Sequence, residues 1–322
     1  MISRQKIIEN IPFTLKKVMI TNLGKRYQGK VRDNYTMGDK RVIITTDRQS
    51  AFDRVLGYIP FKGQVLTRIS EFWFSKTADI VPNHLILVPD PNVMLVRSCK
   101  IIPIEMVVRG YITGVTDTSI WGSYEKGNRV IYGIKFPEGL RKNQKLSEPI
   151  ITPTTKAGQG HDERLTGDEI IKRKIVSPKI WKQMKETTLA LFERGQKICD
   201  RAGIILVDTK YEFGIDKNGE LVLVDEIHTP DSSRYWIKKT YKKRFSLGKE
   251  PESNDKEPLR IWFKKQGFTG KGKIPKMPSE FIAKMSMLYM GIYEKIIGKK
   301  FVPDLTKNVK KRIKDNLKEI VF

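Results

Sequence analysis

Cysteine and histidine are scarce in this chain. Its 322 residues include two cysteines, Cys99 and Cys199, and three histidines. Two thiols in a chain of this length do not make the disulfide framework of a small secreted protein. A structural zinc site commonly takes about four Cys and His ligands at short spacing, whereas His84, His161 and His228 are scattered along the chain. The composition therefore argues against a disulfide scaffold and against a structural zinc site.

Long apolar runs are also missing. No stretch reaches the roughly 20 apolar residues that a helix needs to cross a bilayer. Residues 1–10 mix charged side chains with isoleucine and lack the apolar block of a signal peptide. Because 39% of the residues are hydrophobic, the chain can bury a large core, and its length exceeds that of one typical domain. We therefore expect a two-lobed cytoplasmic protein that does not bind membranes.

Acidic residues are outnumbered, with 36 Asp and Glu against 61 Lys and Arg, for a formal net charge of +25. Such a charge attracts anions and speeds their arrival. It is compatible with nucleic acid, with a small anionic substrate such as a nucleotide, or with a lysine-rich surface that faces solvent. The densest basic clusters, at residues 238–244 and 310–312, lack the aromatic pattern and the Cys/His spacing of known nucleic-acid modules.

Local patterns predict both strands and helices. Residues 25–60 contain β-branched runs and turn signals typical of antiparallel strands. Ser177 and Pro178 are typical of the N-cap and first position of a helix that we expect to continue to about residue 201. Gly203 is well placed to end it. The sequence therefore indicates an α+β protein.

Other segments give weaker signals. Residues 111–162 are rich in Gly, Pro, Thr and Ser and predict a long loop, which in a compact protein is usually either functional or disordered. Residues 248–258 predict a polar surface loop. Residues 279–297 predict a helix with one buried face, and the tail from Pro303 predicts a basic helix. No motif assigns a role to the chain beyond about residue 240.

The strongest local signal for chemistry is a hairpin at Asn218-Gly219, the dipeptide most typical of a two-residue turn. A two-residue turn places Glu212 opposite Asp225 on the neighbouring strand. Carboxylates opposed in this way lie roughly 5 Å apart at Cβ and repel each other. A magnesium ion, which one or two carboxylates and substrate phosphates commonly hold, would relieve the repulsion.

The same strand carries further charged residues. Side chains alternate with period two, so Asp208 and Lys210 share the face of Glu212. Lys210 would then supply an anion contact beside the metal. The alternative is an exposed strand whose charges face water, and the spacing alone leaves both interpretations open.

Two other cations form a candidate phosphate contact. Lys30 and Arg32 follow Gly29 on the same side of a predicted strand and could lie over a triphosphate. The spacing of a Walker loop is absent. An exposed basic strand is the alternative.

Eight segments between about residues 25 and 240 form a recognisable series. In order, they are GKVRDNY from Gly29, TTDRQSAFD from Thr45, IPFKGQVLTRISEFWF from Ile59, EMVVRGYITG from Glu105, FPEGLRKNQKLSEPIITPTTKA from Phe136, GHDE from Gly160, GIILVDTKYEFG from Gly203 and DEIHTPDSSRYW from Asp225. Together and in this order, they resemble the SAICAR synthetase (phosphoribosylaminoimidazole-succinocarboxamide synthase) family. One departure is Val115, which stands where the family often has serine.

The resemblance implies a fold and an activity. The fold is a two-lobed α+β structure, with a kinase-like antiparallel sheet lobe at residues 1–98 and a larger ATP-grasp-like lobe at residues 99–322. The site lies at their interface. The implied reaction joins L-aspartate to carboxyaminoimidazole ribonucleotide in purine synthesis. It consumes ATP with Mg²⁺ and passes through an acyl phosphate. A kinase or another ligase on the same fold, or a basic nucleic-acid-binding protein, is the alternative.

The resemblance also implies roles for individual residues. The metal carboxylates are Glu212 and Asp225. The catalytic residues are Asp208, Lys210 and Lys156, the last also being a third cation for the triphosphate. The ATP contacts are Lys30, Arg32, Ile102 and Glu105, with adenine resting near residues 99–104. The substrate contacts are Ser50, Asp53, Arg109, Asp162, Ser233 and Arg234.

Overall fold

A computed structural model describes residues 2–21, 23–114, 119–156 and 163–321. Up to residue 97, the elements are α1 (Arg4–Glu9), β1 (Lys25–Gln28), β2 (Arg32–Met37), β3 (Lys40–Thr45), β4 (Arg48–Ala51), β5 (Arg54–Tyr58), α2 (Lys62–Lys76), β6 (Leu85–Asp90) and β7 (Val93–Arg97). The remaining strands are β8 (Lys100–Ile112), β9 (Val130–Ile131), β10 (Ile134–Lys135), β11 (Gln144–Ile151), β12 (Thr154–Thr155), β13 (Ile204–Ile215), β14 (Leu221–Val224) and β15 (Ser233–Ile237). The remaining helices are α3 (Ile120–Glu125), α4 (Gly167–Lys172), α5 (Pro178–Arg201), α6 (Lys238–Ser246), α7 (Glu257–Lys265), α8 (Ser279–Ile297) and α9 (Val309–Val321).

The first sheet is antiparallel, in the order β1-β2-β3-β7-β6. Successive residues of a strand point to opposite faces, and β3 buries both of its faces. Ile43 belongs to the main core together with residues of α2, whereas Val42 and Ile44 pack in a second core with Ile313 and Leu317 of α9. The C-terminal tail, whose role the sequence left open, therefore covers one face of this sheet.

The second sheet has the order β11-β8-β13-β14, with β12 paired to β8 and β15 paired to β13. Helix α5 packs on β13, and its ends confirm the predicted boundaries. The Ser177 hydroxyl accepts a hydrogen bond from the Ile180 N–H at 3.3 Å. Gly203 has a left-handed φ of 71° and lets the chain turn directly into β13. The helix thus leads into the strand that carries three of the predicted site residues, Asp208, Lys210 and Glu212.

Two of the predicted loops are wrong. Within residues 111–162, the described part contains α3 and the strands β9 to β12, and β11 pairs with β8. The composition of this segment is typical of turns. Its strands β11 and β12 form by pairing with β8, which the local sequence does not indicate. Residues 248–258 are not wholly a surface loop either, since Asp255 is buried and its carboxylate accepts a hydrogen bond from the Tyr235 N–H at 2.8 Å.

Further helices pack around the first sheet. Helix α8 packs on α1 and α2, and α9 packs on β6. The division of the chain into lobes at residues 98 and 99 stays a prediction. In the part of the chain that the structure describes, no helix is both long enough and apolar enough to span a bilayer.

Candidate active site

A cavity of about 580 Å³ collects side chains from both sheets. Its walls include residues of the β1–β2 and β4–β5 hairpins, of β8 and β13, and of the segments that follow β14 and β15. Most of the predicted site residues line it. They are Lys30, Arg32, Ser50, Asp53, Glu105, Lys156, Asp208, Lys210, Glu212, Asp225, Ser233 and Arg234.

Three predicted residues are not among the lining. Ile102 is only 5% exposed and packs in the main core. Arg109 lies one step behind the wall, where its guanidinium is 3.6 Å from the Asp208 carboxylate and donates to the Thr152 hydroxyl at 2.9 Å. Asp162 falls outside the described residues, as does Val115.

The predicted register of the β13–β14 hairpin is wrong by one residue. Glu212 pairs with Val224 and not with Asp225. The turn is not the two-residue type, because the loop runs from Asp216 to Glu220 and the Asp216 carboxylate accepts the Glu220 N–H at 2.9 Å. This local side-chain contact favours the longer loop.

Asp225 reaches the cavity in spite of the shifted register. Strand β14 ends at Val224, and Asp225 has a left-handed φ of 65° that redirects the chain. The preceding strand is held on its outer edge, since the His84 N–H donates to the Leu223 carbonyl at 3.0 Å and His84 also hydrogen-bonds to the Asp225 backbone. The two acids therefore line one cavity although they are not a cross-strand pair.

Arg32 binds the acids that follow β14. Its guanidinium lies 3.3 Å from the Asp225 carboxylate and also contacts Glu226. Burial opposes ionisation of Asp225, yet Arg32, and then Lys210 and Lys156, hold the pKa of this carboxyl below its ordinary value. Asp225 is therefore an anion in the cavity at neutral pH.

Glu212 has an acidic neighbour on β8, the strand that pairs with β13 on the side away from β14. It pairs with Glu105 across β13 and β8, and Lys210 bridges the two carboxylates at 2.7 Å to Glu105 and 2.6 Å to Glu212. Lys156 contacts the second oxygen of Glu212. Burial would lower the pKa of Lys210, but Glu212 and Glu105 raise it well above its usual value. Lys210 is thus a permanent cation.

A second charged group lies further along β13. The Asp208 carboxylate contacts the Arg234 guanidinium on β15, and the neighbouring hydroxyls of Thr209 and Ser233 are 2.8 Å apart. Burial alone would lower the pKa of Arg234, whereas Asp208 raises it, and the net shift is upward. This wall of the cavity combines a fixed guanidinium with hydroxyl groups, a set that suits a phosphate or a carboxylate.

The β4–β5 hairpin forms part of the cavity wall. Phe52 and Asp53 both have left-handed φ values, of 51° and 56°. The Asp53 carboxylate contacts Lys30 of the β1–β2 turn, and both side chains are more than half exposed. This pair is therefore accessible to solvent.

Several lining residues have no predicted role. Glu226, Asp231 and Ser232 lie inside the DEIHTPDSSRYW segment, so the motif could have identified them. Asp255, Lys256 and Arg260 come from the stretch that carries no motif, and no sequence signal marks them. Below the cavity, the fully buried Lys62 lies 2.7 Å from Asp231, whose other oxygen accepts the Tyr289 hydroxyl at 2.6 Å.

The carboxylates of the cavity suit a hard cation such as Mg²⁺ only if a bound ligand supplies further oxygens. Among the described residues, no group of three or more Asp, Glu, His or Cys side chains could hold a metal ion. Glu212 and Asp225 offer carboxylate oxygens to the same cavity. Two such groups match the protein share of a magnesium site whose other ligands are phosphate oxygens and water.

Comparison with known proteins identifies close relatives. Residues 25–277 match the family described as SAICAR synthetase. The phosphoribosylaminoimidazole-succinocarboxamide synthase of Legionella pneumophila (strain Paris) is 52% identical over 295 residues, which are 91% of this chain and 94% of the relative. The solved SAICAR synthase of Saccharomyces cerevisiae, complexed with SAICAR, is 33% identical with a TM-score of 0.79, and the match covers 90% of this chain and 100% of the solved chain. A solved type-2 SAICAR synthetase in complex with ADP is 28% identical with a TM-score of 0.67, and the match covers 87% of this chain and 100% of the solved chain.

Proposed function

The chain belongs to the SAICAR synthetase family, the ATP-dependent ligases of purine biosynthesis, and from that premise we propose how its cavity performs the ligation. ATP, L-aspartate and carboxyaminoimidazole ribonucleotide would meet in the 580 Å³ cavity. Solved relatives bind SAICAR in one case and ADP in another, which supports assigning both ligands to this chain.

Glu212 and Asp225 are the proposed magnesium carboxylates. Both are acids in the wall of one cavity, and Lys156 and Arg32 already neutralise them. Mg²⁺ bound there would neutralise charge on the β- and γ-phosphates during transfer. The cations that now touch the two acids would then be free to contact phosphate oxygens.

Lys30, Arg32 and Lys156 are the proposed triphosphate contacts. Lys30 and Lys156 are partly exposed, at 59% and 42% of the side chain, so both can change partners at small cost. Arg32 is nearly buried, and its Nε has no hydrogen-bond partner in the described part of the chain.

Arg234, Ser233, Asp208 and Lys210 are the proposed contacts for the ribonucleotide, with Arg109 holding Asp208 from behind. An arginine and hydroxyls suit a ribonucleotide phosphate. A carboxylate can accept hydrogen bonds from ribose hydroxyls. Ser50 and Asp53 would approach the same ligand from the β4–β5 hairpin.

The chemistry proceeds in two proposed steps. A carboxylate resists attack by an amine until one of its oxygens becomes a leaving group. The imidazole carboxylate is first phosphorylated, and the aspartate amine then attacks the acyl phosphate. The protein contributes positioning and charge neutralisation, which are the main terms in phosphoryl transfer.

The observation that supports this proposal most is that cations and acids from both sheets line one cavity. A coupled assay of ADP release tests it. We expect sustained release to require both L-aspartate and carboxyaminoimidazole ribonucleotide. Equal release without aspartate would instead favour a small-molecule kinase.

A further inference from the structure

The lysines of the cavity differ in their partners. Lys30, Lys156 and Lys210 each contact a carboxylate. Lys256 also lines the cavity, and its side chain makes no hydrogen bond or ion pair with any described residue. An amine in a mostly buried position without a carboxylate partner lacks the stabilisation that such a partner gives to the charged form.

The backbone around Lys256 is held firmly. The neighbouring Asp255 accepts the Tyr235 N–H at 2.8 Å with one oxygen and the Glu257 N–H at 2.6 Å with the other. These contacts join the start of α7 to β15. They fix the point from which the Lys256 side chain extends, and Arg260, one turn later in α7, lines the same cavity.

The surroundings of Lys256 bring the pKa of its amine close to neutral pH. Burial lowers the pKa of Lys256 to about 8. Asp231 and Glu226 oppose this shift, whereas Arg260 and Lys62 add to it. Both protonation states are therefore populated close to physiological pH, which suits a group that transfers protons.

The reaction needs such a group. L-Aspartate is an ammonium ion in neutral water, and an ammonium nitrogen has no lone pair with which to attack a carbonyl. We propose that Lys256 is the catalytic residue that removes this proton from the incoming aspartate. The inference rests on the proposed function, since it presupposes an acyl phosphate that waits for an amine.

The step balances as follows. The neutral Nζ of Lys256 takes one proton from the aspartate ammonium. The freed amine nitrogen forms a bond to the carboxyl carbon, and the bond from that carbon to the phosphate oxygen breaks, leaving its electron pair on phosphate. A second proton leaves the nitrogen with the phosphate, so the products are an amide and hydrogen phosphate. Lys256 then returns its proton to water.

Other described groups of the cavity are less suited to this step. Burial raises the pKa of Asp255 to about 6, but both of its oxygens already accept backbone N–H groups. Asp225 and Asp231 contact cations, and each has a lowered pKa. Neither of the described histidines, His84 and His228, lines the cavity.

The test compares Lys256→Met and Lys256→Arg with Lys264→Met, a matched control on an exposed position of α7. SAICAR formation is measured at saturating aspartate from pH 6 to 10. Hydroxamate formation is measured in parallel with hydroxylamine, an amine that is uncharged at neutral pH and needs no base. We expect both Lys256 variants to lose about 100-fold or more in turnover with aspartate. Both should keep hydroxamate formation near the wild-type rate, and the wild-type limb near pH 8 should disappear.

Three results would overturn the inference. Recovery of turnover in Lys256→Arg would show that a permanent cation suffices, because arginine does not deprotonate. A raised KM for aspartate with unchanged kcat would make Lys256 a binding contact only. Equal loss with aspartate and hydroxylamine would place its role before amine attack. If the wild-type chain released no ADP with either amine, the proposed function itself would fail.

Discussion

Replacing Asp225 by Asn is the most informative single change in the cavity. It removes one negative charge and keeps the size of the side chain. The structure predicts little loss of stability, because the Asp225 side chain is 26% exposed and Arg32 retains its contact with Glu226. Because Arg32 keeps this second carboxylate, its buried charge is not left unpaired, the case that would cost roughly 3–5 kcal/mol.

The effect on activity should be much larger. If Asp225 is one of two protein ligands to magnesium, its loss should reduce turnover about 100- to 1,000-fold, or roughly 3–4 kcal/mol of transition-state stabilisation. Coupled ADP release is measured over a range of Mg²⁺ concentrations. The variant should also need more Mg²⁺ for half-maximal rate, since its affinity for the ion is weaker.

The control is Glu220→Gln, which removes the same charge from an exposed position of the same hairpin. It should leave both rate and Mg²⁺ dependence unchanged. Urea unfolding of both variants checks that the fold is intact. Near-normal turnover of Asp225→Asn at low Mg²⁺ would refute the assignment of this carboxylate to the metal.

Three further predictions test other parts of the molecule. Lys156→Met should raise the KM for ATP about tenfold without changing stability, because the lysine side chain is 42% exposed and Glu212 keeps its ion pair with Lys210; steady-state kinetics and a thermal melt measure both. Gly195→Ala should destabilise the protein by about 1–3 kcal/mol in urea unfolding, because a Cβ there would lie 2.3 Å from the ring of His228 and 2.7 Å from Leu206. Burial lowers the pKa of His228 to about 3, so the unfolded state takes up a proton as pH falls below 6.5 while the folded state does not. As pH falls from roughly 6.5 to 3, the free energy of unfolding of the wild type should therefore decrease by about 1.4 kcal/mol per pH unit relative to that of His228→Gln. Parallel curves of unfolding free energy against pH would contradict the burial of His228.

Local signals in the sequence were sufficient for the two longest helices, α5 and α8. Helix α5 begins at Pro178 after the Ser177 N-cap, and α8 spans Ser279–Ile297, both as predicted. Caps and apolar periodicity lie within a few residues of each other, so no knowledge of the tertiary fold is needed.

Strand pairing required information that the local sequence does not contain. The hairpin register depended on the Asp216 side chain, which selects a longer loop at Asn218-Gly219. The close acidic pair proved to be Glu105 and Glu212 across two strands far apart in sequence. That contact follows only from the order of the sheet.

Long-range packing explains the remaining omissions. Asp255, Lys256 and Arg260 reach the cavity because β15 and α7 return the chain to it. Helix α9 packs on the first sheet, where Arg312 contacts Asp90 at 2.9 Å. Neither segment carries a motif, and tertiary contacts of this kind have no periodic pattern.

In the proposed mechanism, Glu212 and Asp225 together hold the metal that carries ATP. A crystal of the protein with Mn²⁺ and a non-hydrolysable ATP analogue, analysed by anomalous diffraction, would locate that metal. We expect a single strong peak with an oxygen of each residue at roughly 2.0–2.6 Å, the range of hard-cation coordination, and phosphate oxygens on its far side. A metal that binds the phosphates but contacts neither carboxylate would refute the assignment.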